Sequence, residues 1–401
     1  MQILDETGKI LVDSGVQKRH GDATSTQGSW VLATPLEANK IVQVRVKVSD
    51  GSLWSEWSEP GWMKYELPEM QATLVAGEKN SAYVKADGTL WVWGDNGYGQ
   101  LGSKEEKATI AVKIEKLENI MDVAVGSDHI LALARDGSVW SWGHSYYGQL
   151  GDERRRYFPS YPTPEKIPNL DSVVAVAASG TISIALKKDG SVWTWGGAAS
   201  GTSHIPTKSS FTGISAISSW KNSSWQSSDI IALRSDGTVF GSGGAQIKDI
   251  DEVVAISQGY GFSLALRKDG TVWSWGGNYS GQLGDGTTTN RVQPGQVKEL
   301  SEVIAIKAGE SHAIAIKKDG SVWVWGDNQQ GQLGIGNKQT QLLPVKLTGI
   351  QAEMVAGGAS HSVSLQQDGT VWSWGKNDKA QLGNGTNVNH LNPTEVQFSS
   401  K

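Results

Sequence analysis

Asp319-Gly320-Ser321-Val322-Trp323-Val324-Trp325-Gly326 is the stretch on which the fold turns. An Asp-Gly pair between apolar runs is a hairpin signal, because the tight turn needs a positive φ that Gly adopts without steric cost. The residues after it alternate, so both Trp side chains fall on one face of a strand. Working outward, the same unit begins at Asp87, Asp136, Asp189, Asp236, Asp269 and Asp368, which makes seven copies spaced 33 to 53 residues apart. Self-similarity at that period means stacked supersecondary units, most often propeller blades.

Each copy predicts more than a hairpin. Two apolar strands precede the turn, as in Val303-Ile304-Ala305-Ile306 and Ala313-Ile314-Ala315-Ile316, and a further strand such as Pro344-Val345-Lys346-Leu347 follows the Trp strand after a longer loop. Four short strands per repeat make one blade. The expected fold class is therefore all-β, a seven-bladed β-propeller over residues 68–401 with almost no helix. Twelve of the 18 Trp are spent on Trp-x-Trp-Gly, and each can bury roughly 150–250 Å², so they read as packing between blades. The fourth copy, Phe240-Gly241-Ser242-Gly243, lacks both Trp and is expected to be the least protected.

The combination of Gly309-Glu310-Ser311-His312, the Asp319 to Gly326 run and Asn328-Gln329-Gln330-Gly331-Gln332-Leu333-Gly334 resembles the repeat of the regulator-of-chromosome-condensation family. The resemblance covers about residues 70 to 401. Gly-Gln-Leu-Gly recurs at Gly99, Gly148, Gly281 and Gly331, Ala380 replaces its first Gly in the last copy, and the third and fourth copies lack it. The resemblance implies a propeller whose loops bind proteins, as in nucleotide exchange on a small GTPase, chromatin docking and, in bacterial members, β-lactamase inhibition. The shared motifs are structural ones, so no exchange-factor residue is carried over to this chain.

Residues 1–67 do not repeat. Val42, Val44, Val46 and Val48 alternate with polar residues as in a half-buried strand. Trp54-Ser55-Glu56-Trp57-Ser58 resembles the Trp-Ser-x-Trp-Ser signature of fibronectin type III domains, whose indoles would stack with Arg45 and Lys47. The segment is short for a complete sandwich and is expected to be the second half of one, joined to the propeller by a linker between Pro60 and Pro68.

Composition narrows the chemistry. The chain has 401 residues, no Cys, 36 Lys and Arg against 41 Asp and Glu, and a formal charge of -5. It contains neither the basic face that phosphate backbones require nor an apolar run long enough for a membrane helix, so nucleic acid and membrane insertion are disfavoured. Residues 1 to 22 hold no long apolar core, so no secretory leader is read there. His129, His312 and His361 each stand seven residues before an Asp-Gly, and a repeated slot argues for a structural role, not a metal site. Gly284-Asp285-Gly286 reads as loop packing, and Arg154-Arg155-Arg156 as a solvated loop. No phosphate loop, nucleophile elbow or zinc-protease motif occurs.

The expectation is a non-enzymatic binding module without cofactor or metal. Its partner is a protein, with a glycan as first alternative and chromatin or a GTPase as second. An extracellular or surface location on a bacterium is favoured, and the cytoplasm is left open. Strand counting puts the loop between the first two strands and the loop after the Trp strand on one end, with the Asp-Gly turns on the other. The first end then gathers Tyr98, Tyr146, Tyr147, Tyr157, Phe158, Tyr161, Trp220, Trp225 and Tyr279, centred between the second and fourth repeats. Tyr and Trp dominate protein-interface hot spots, so these nine are the candidate partner-binding residues.

Overall fold

The computed structural model describes residues 2–4, 10–13, 41–45, 58, 61–64, 70–103, 105–155, 158–197, 203–221 and 228–399. The chain divides into two compact units, Met1–Glu69 and Met70–Lys401. In the first, four antiparallel strands pair in the spatial order Ile10–Asp13, Gln2–Leu4, Ile41–Arg45, Gly61–Lys64. The alternating run thus forms a strand at its start. The expected stacking of Trp54 and Trp57 on Arg45 and Lys47 lies outside the described residues.

The second unit is built almost wholly of antiparallel sheet; its one described helical turn is the 3-10 turn Glu153–Arg155. Every Asp-Gly joins the second and third strands of a repeat. In the sixth repeat these are His312–Lys317 and Ser321–Gly326, preceded by Val303–Ala308. The turn is fixed locally. Asp319 Oδ1 accepts from the Ser321 N–H at 2.9 Å and from its hydroxyl at 2.6 Å, and the Trp323 indole N–H donates to the same hydroxyl at 3.2 Å. Gly320 sits at φ +79°, the left-handed conformation the turn demands. The same three-residue device recurs at Asp87, Asp189, Asp269 and Asp368. Hydrogen bonding from Thr271 and Ser321 holds the Asp269 and Asp319 carboxyls below their usual range.

The second Trp of each motif works across repeats. Trp195 is fully enclosed and donates to the Gln149 carbonyl at 3.0 Å, in the Gly-Gln-Leu-Gly of the preceding repeat. Ser183 donates to that carbonyl at 2.8 Å, and His129 Nε2 stands 2.8 Å from the same hydroxyl. Ser183 spends its only proton on the carbonyl, so His129 must donate from Nε2. The slot shared by His129, His312 and His361 therefore links side chains of neighbouring repeats, and does not cap strand-end backbone. His361 repeats the arrangement with Ser81 at 2.9 Å, joining the seventh repeat to the first. The Ala359 N–H adds a 3.0 Å bond to the Gly77 carbonyl at the same junction.

The repeats are unequal. Most have a four-stranded sheet of their own, the last two share one seven-stranded sheet through the long strand Gln341–Gly357, and the fourth has three strands. The expectation of four strands in every repeat fails there because Phe240 is followed by a Gly-Ser-Gly-Gly turn. That turn folds the chain back after the two-residue strand Val239–Phe240, leaving a single bridge to Gln246. The innermost strands surround a channel of about 320 Å³ lined from all the repeats. Blade-like sheets arranged around a channel make this unit a β-propeller.

Candidate protein-binding face

The loops after the Trp strands are held by their own side chains, and this is what fixes the aromatic residues on them. In the second repeat Gln149 Oε1 accepts from the Tyr147 N–H at 2.9 Å, while in the first Gln100 Oε1 accepts from the Tyr98 N–H at 2.8 Å and Asn96 Oδ1 from the Leu101 N–H at 2.6 Å. Leu101 and Leu150 are buried, so each loop is pinned to the core immediately after its tyrosines. Tyrosine in these loops is thus presented on a preorganised backbone, which lowers the ordering cost of any contact it makes.

Five of the nine candidates come together on the first two repeats. Tyr98 packs edge-on against His144 with centroids 4.4 Å apart; His144 lies 5.9 Å from Tyr147, and Tyr147 lies 5.1 Å from Tyr146. Phe158 and Tyr161 form a second pair at 6.2 Å. Ser160 ties the two groups, donating to the Tyr98 carbonyl at 2.5 Å, and the Ser145 N–H donates to the Pro159 carbonyl at 3.1 Å. The ridge is open to solvent, Tyr146 and Phe158 each at 66% and Tyr98 at 39% exposure.

The other four are placed differently. Tyr279 is 81% exposed on the fifth repeat and stacks with none of the other described aromatics. Trp220 does not belong to the face: it lies near the end of the innermost strand Ile214–Lys221, is 9% exposed and is among the residues that line the channel. The period-two pattern of that strand was hidden by Ser218 and Ser219, which made the segment look like loop. Tyr157 and Trp225 lie outside the described residues. The described aromatics thus gather on the first two repeats and not between the second and fourth.

His144 completes the ridge and was not a candidate, although its position directly after Trp142-Gly143 placed it in the same loop. Gln149 Nε2 lies 2.7 Å from His144 Nδ1, and burial pushes the imidazole pKa down, so the ring is a neutral platform between Tyr98 and Tyr147. Of the basic triplet beside the ridge, Arg154 is solvent-exposed, as a solvated loop requires, and pairs with Asp152 at 2.6 Å. Arg155 is not solvated: it is buried and donates to the Ser141 carbonyl, the Ser141 hydroxyl and the Leu150 carbonyl at 2.8, 2.6 and 2.9 Å. Arg156 lies outside the described residues. Asp285 packs its loop as expected, held by Thr287, Asn278 and Arg291. Among the described residues no helix is long and apolar enough to cross a membrane.

Comparison with known proteins agrees with this architecture. The model of the regulator of chromosome condensation (RCC1) repeat matches residues 87–133, 136–186, 269–316, 319–365 and 368–401, more than half of the chain. A second model of the repeat matches 72–100, 120–149, 253–282 and 303–332. The human E3 ubiquitin-protein ligase HERC2 is 30% identical over 225 residues, which is 55% of this chain and 4% of HERC2. The chain thus spans a small part of that relative. Prp20p from Saccharomyces cerevisiae, described with its binding to Gsp1p and histones, superposes with a TM-score of 0.67 at 23% identity, covering 81% of this chain and 87% of that one. Human WBSCR16 superposes at 0.68 with 19% identity, covering 77% and 94%. These solved structures share the fold, and the repeat-model matches carry the assignment: the chain belongs to the regulator of chromosome condensation (RCC1) repeat family.

Proposed function

We propose that this chain is a non-enzymatic protein-binding module, a seven-bladed propeller that engages its partner through the aromatic ridge on the loop end of the first two repeats. The observation that carries the reading is the aromatic cluster of Tyr98, Tyr146 and Tyr147 around His144 with the adjoining Phe158–Tyr161 pair, of which Tyr98, Tyr146 and Phe158 are exposed. Rigid aromatics with few rotamers to freeze lose little entropy on binding. The description of Prp20p, which binds Gsp1p and histones, favours a protein over a glycan as the occupant. The fibronectin-like Trp-Ser-x-Trp-Ser run favours an extracellular bacterial setting, and the lack of Cys suits that setting or a reducing cytosol alike.

The reading is tested by capturing partners from the source organism with the full chain as bait and mapping hydrogen exchange in the complex. Slowed exchange should centre on residues 96–102 and 144–163. Slowing confined to the Asp-Gly turns would move the site to the other end, and retention on a glycan array with no captured protein would replace the partner class.

A further inference from the structure

Each Gly/Ala-Gln-Leu-Gly loop is tied by its glutamine. The amide oxygen accepts the N–H two residues earlier, at Tyr98, Tyr147, Ser280, Gln330 and Lys379, over 2.8 to 2.9 Å. That bond fixes the amide, so its NH2 points the other way and needs an acceptor. In the first and sixth repeats the residue after Trp-x-Trp-Gly supplies one: Gln100 donates to the Asp95 carboxylate at 3.4 Å and Gln332 to that of Asp327 at 2.7 Å. In the second repeat the same slot holds His144, and Gln149 Nε2 lies 2.7 Å from its Nδ1. His144 is the only imidazole in the slot, which holds Asp95, Gly277, Asp327 and Lys376 in the other four repeats with this loop.

A carboxylate offers only acceptors to the glutamine, whereas an imidazole accepts only while Nδ1 carries no proton. Protonated His144 would turn a donor towards a donor. Rotating the ring does not help, because both nitrogens of an imidazolium donate. Rotating the amide does not help either, since Gln149 Oε1 would then leave the Tyr147 N–H for the ring. One of the two bonds made by this single amide is therefore lost on protonation, and the Tyr147 N–H bond is the one that shapes the exposed turn.

We propose that His144 makes the aromatic ridge a pH switch: a proton on Nδ1 breaks the Gln149 clamp and frees the turn that carries Tyr146 and Tyr147. Weaker partner binding in acid follows where the ridge is the partner site, because the turn must then be ordered on binding; that consequence rests on the proposed function. The groups around the ring supply no counter-charge. Tyr98 of the first repeat and Tyr147 of its own loop face it, Tyr161 stands on the paired outer strand, His129 on the paired inner one, and His204 of the third repeat packs against Gly148. The Asp128 carbonyl accepts from the His144 N–H at 2.8 Å, but its carboxylate faces Lys79 at 3.8 Å, and Asp95 pairs with Lys379 at 3.3 Å. Burial lowers the pKa of His144 and takes that of His129 to about 3, so the clamp is closed at neutral pH and opens as pH falls below the ordinary imidazole value of about 6.5.

The test is amide hydrogen exchange of the full chain, followed by NMR between about pH 7.5 and 4.5 and corrected for intrinsic exchange, with the His144 ring signals giving its own titration. This arm needs no partner. Protection of the Tyr147 N–H should fall by roughly tenfold in step with His144, while the Tyr98 N–H, held by Gln100 beside Asp95, stays within about twofold. His144→Asn keeps an acceptor for Gln149 but takes up no proton, so its Tyr147 protection should be flat with pH. Affinity for the captured partner should weaken by roughly fivefold over the same titration in the parent, the effect of one hydrogen bond, and not in His144→Asn. Tyr147 protection that stays constant while His144 titrates, or falls together with that of Tyr98, overturns the switch, as does a ring that stays neutral throughout. Loss of Tyr147 protection with an affinity that does not change with pH upholds the switch and removes the ridge as the partner site.

Discussion

The second and fourth repeats share the Asp-Gly turn and little else. Asp136 and Asp236 each accept the N–H two residues on at 2.9 Å, so the turn survives in both. The second repeat also has Trp142, which donates to the Gln100 carbonyl of the first at 2.8 Å, and His129 and Gln149, which engage Ser183 and Trp195 of the third. The fourth has Phe240 and Gly-Ser-Gly in place of the Trp strand, Asp229 in the histidine slot and no Gly-Gln-Leu-Gly. A turn needs only neighbouring residues, whereas an inter-repeat clamp needs matched residues from two repeats. Local chemistry therefore persists where the clamps are gone.

The largest way to break the comparison is acid. Burial lowers the pKa of His129, His312 and His361 to about 3, while an unfolded histidine titrates near 6.5. Between these values the unfolded state binds more protons, so the stability these neutral rings contribute is lost as pH falls from about 6.5 towards 3. Asp122, raised to about 6, and Asp128, Asp229 and Glu310, also raised by burial, have the opposite sign, since their protonation relieves a poorly solvated charge, and they offset part of the loss. Melting curves between pH 7 and 4.5 should show a steep loss, at least about 1 kcal/mol per histidine. His361→Gln should flatten the slope, and an unchanged slope would remove the histidines as its source.

The next effect is steric. Gly143 has φ +104°, and a Cβ there would stand 2.5 Å from the Asp128 carbonyl oxygen; one on Gly243, the matching residue of the fourth repeat at φ +84°, would meet nothing within 4 Å. Gly143→Ala should cost about 3 kcal/mol or more in urea unfolding, and Gly243→Ala, which meets only the strain of its positive φ, about 1–2 kcal/mol. Similar costs would show that the fourth repeat is as tightly constrained as the second.

A smaller effect isolates the clamp itself. Trp142→Phe and Trp275→Phe remove the same atoms, but only Trp142 follows a repeat that carries Gly-Gln-Leu-Gly. The first should be costlier by about 1 kcal/mol, the worth of one buried hydrogen bond. Equal costs would mean that packing alone holds the repeats together.

The sequence carried the repeat well because it is written in backbone requirements. Asp-Gly needs positive φ, and alternate Trp need one face, so the strands around Asp319 and the departure of the fourth repeat from the common pattern were legible from the residues alone. The site was only half legible. Tyr98, Tyr146 and Tyr147 were placed by strand counting, but nothing local reveals that His144 bridges them, because the contact crosses two repeats. Trp220 was misplaced since Ser218 and Ser219, which look like loop residues, sit on a strand facing a channel. Arg155 likewise looks solvated in sequence, and only the fold brings the Ser141 and Leu150 carbonyls to it.

The most direct test of the ridge is the affinity of the captured partner for two single variants. Tyr146 and Tyr279 are both exposed, at 66% and 81%, both sit in the loop after a Trp strand, and truncating either leaves the core intact. Only Tyr146 belongs to the ridge. Tyr146→Ala should weaken binding by about tenfold or more, roughly 1.4 kcal/mol, while Tyr279→Ala stays within about twofold of the parent. Binding by Tyr146→Ala within about twofold of the parent, with folding retained, would contradict the account.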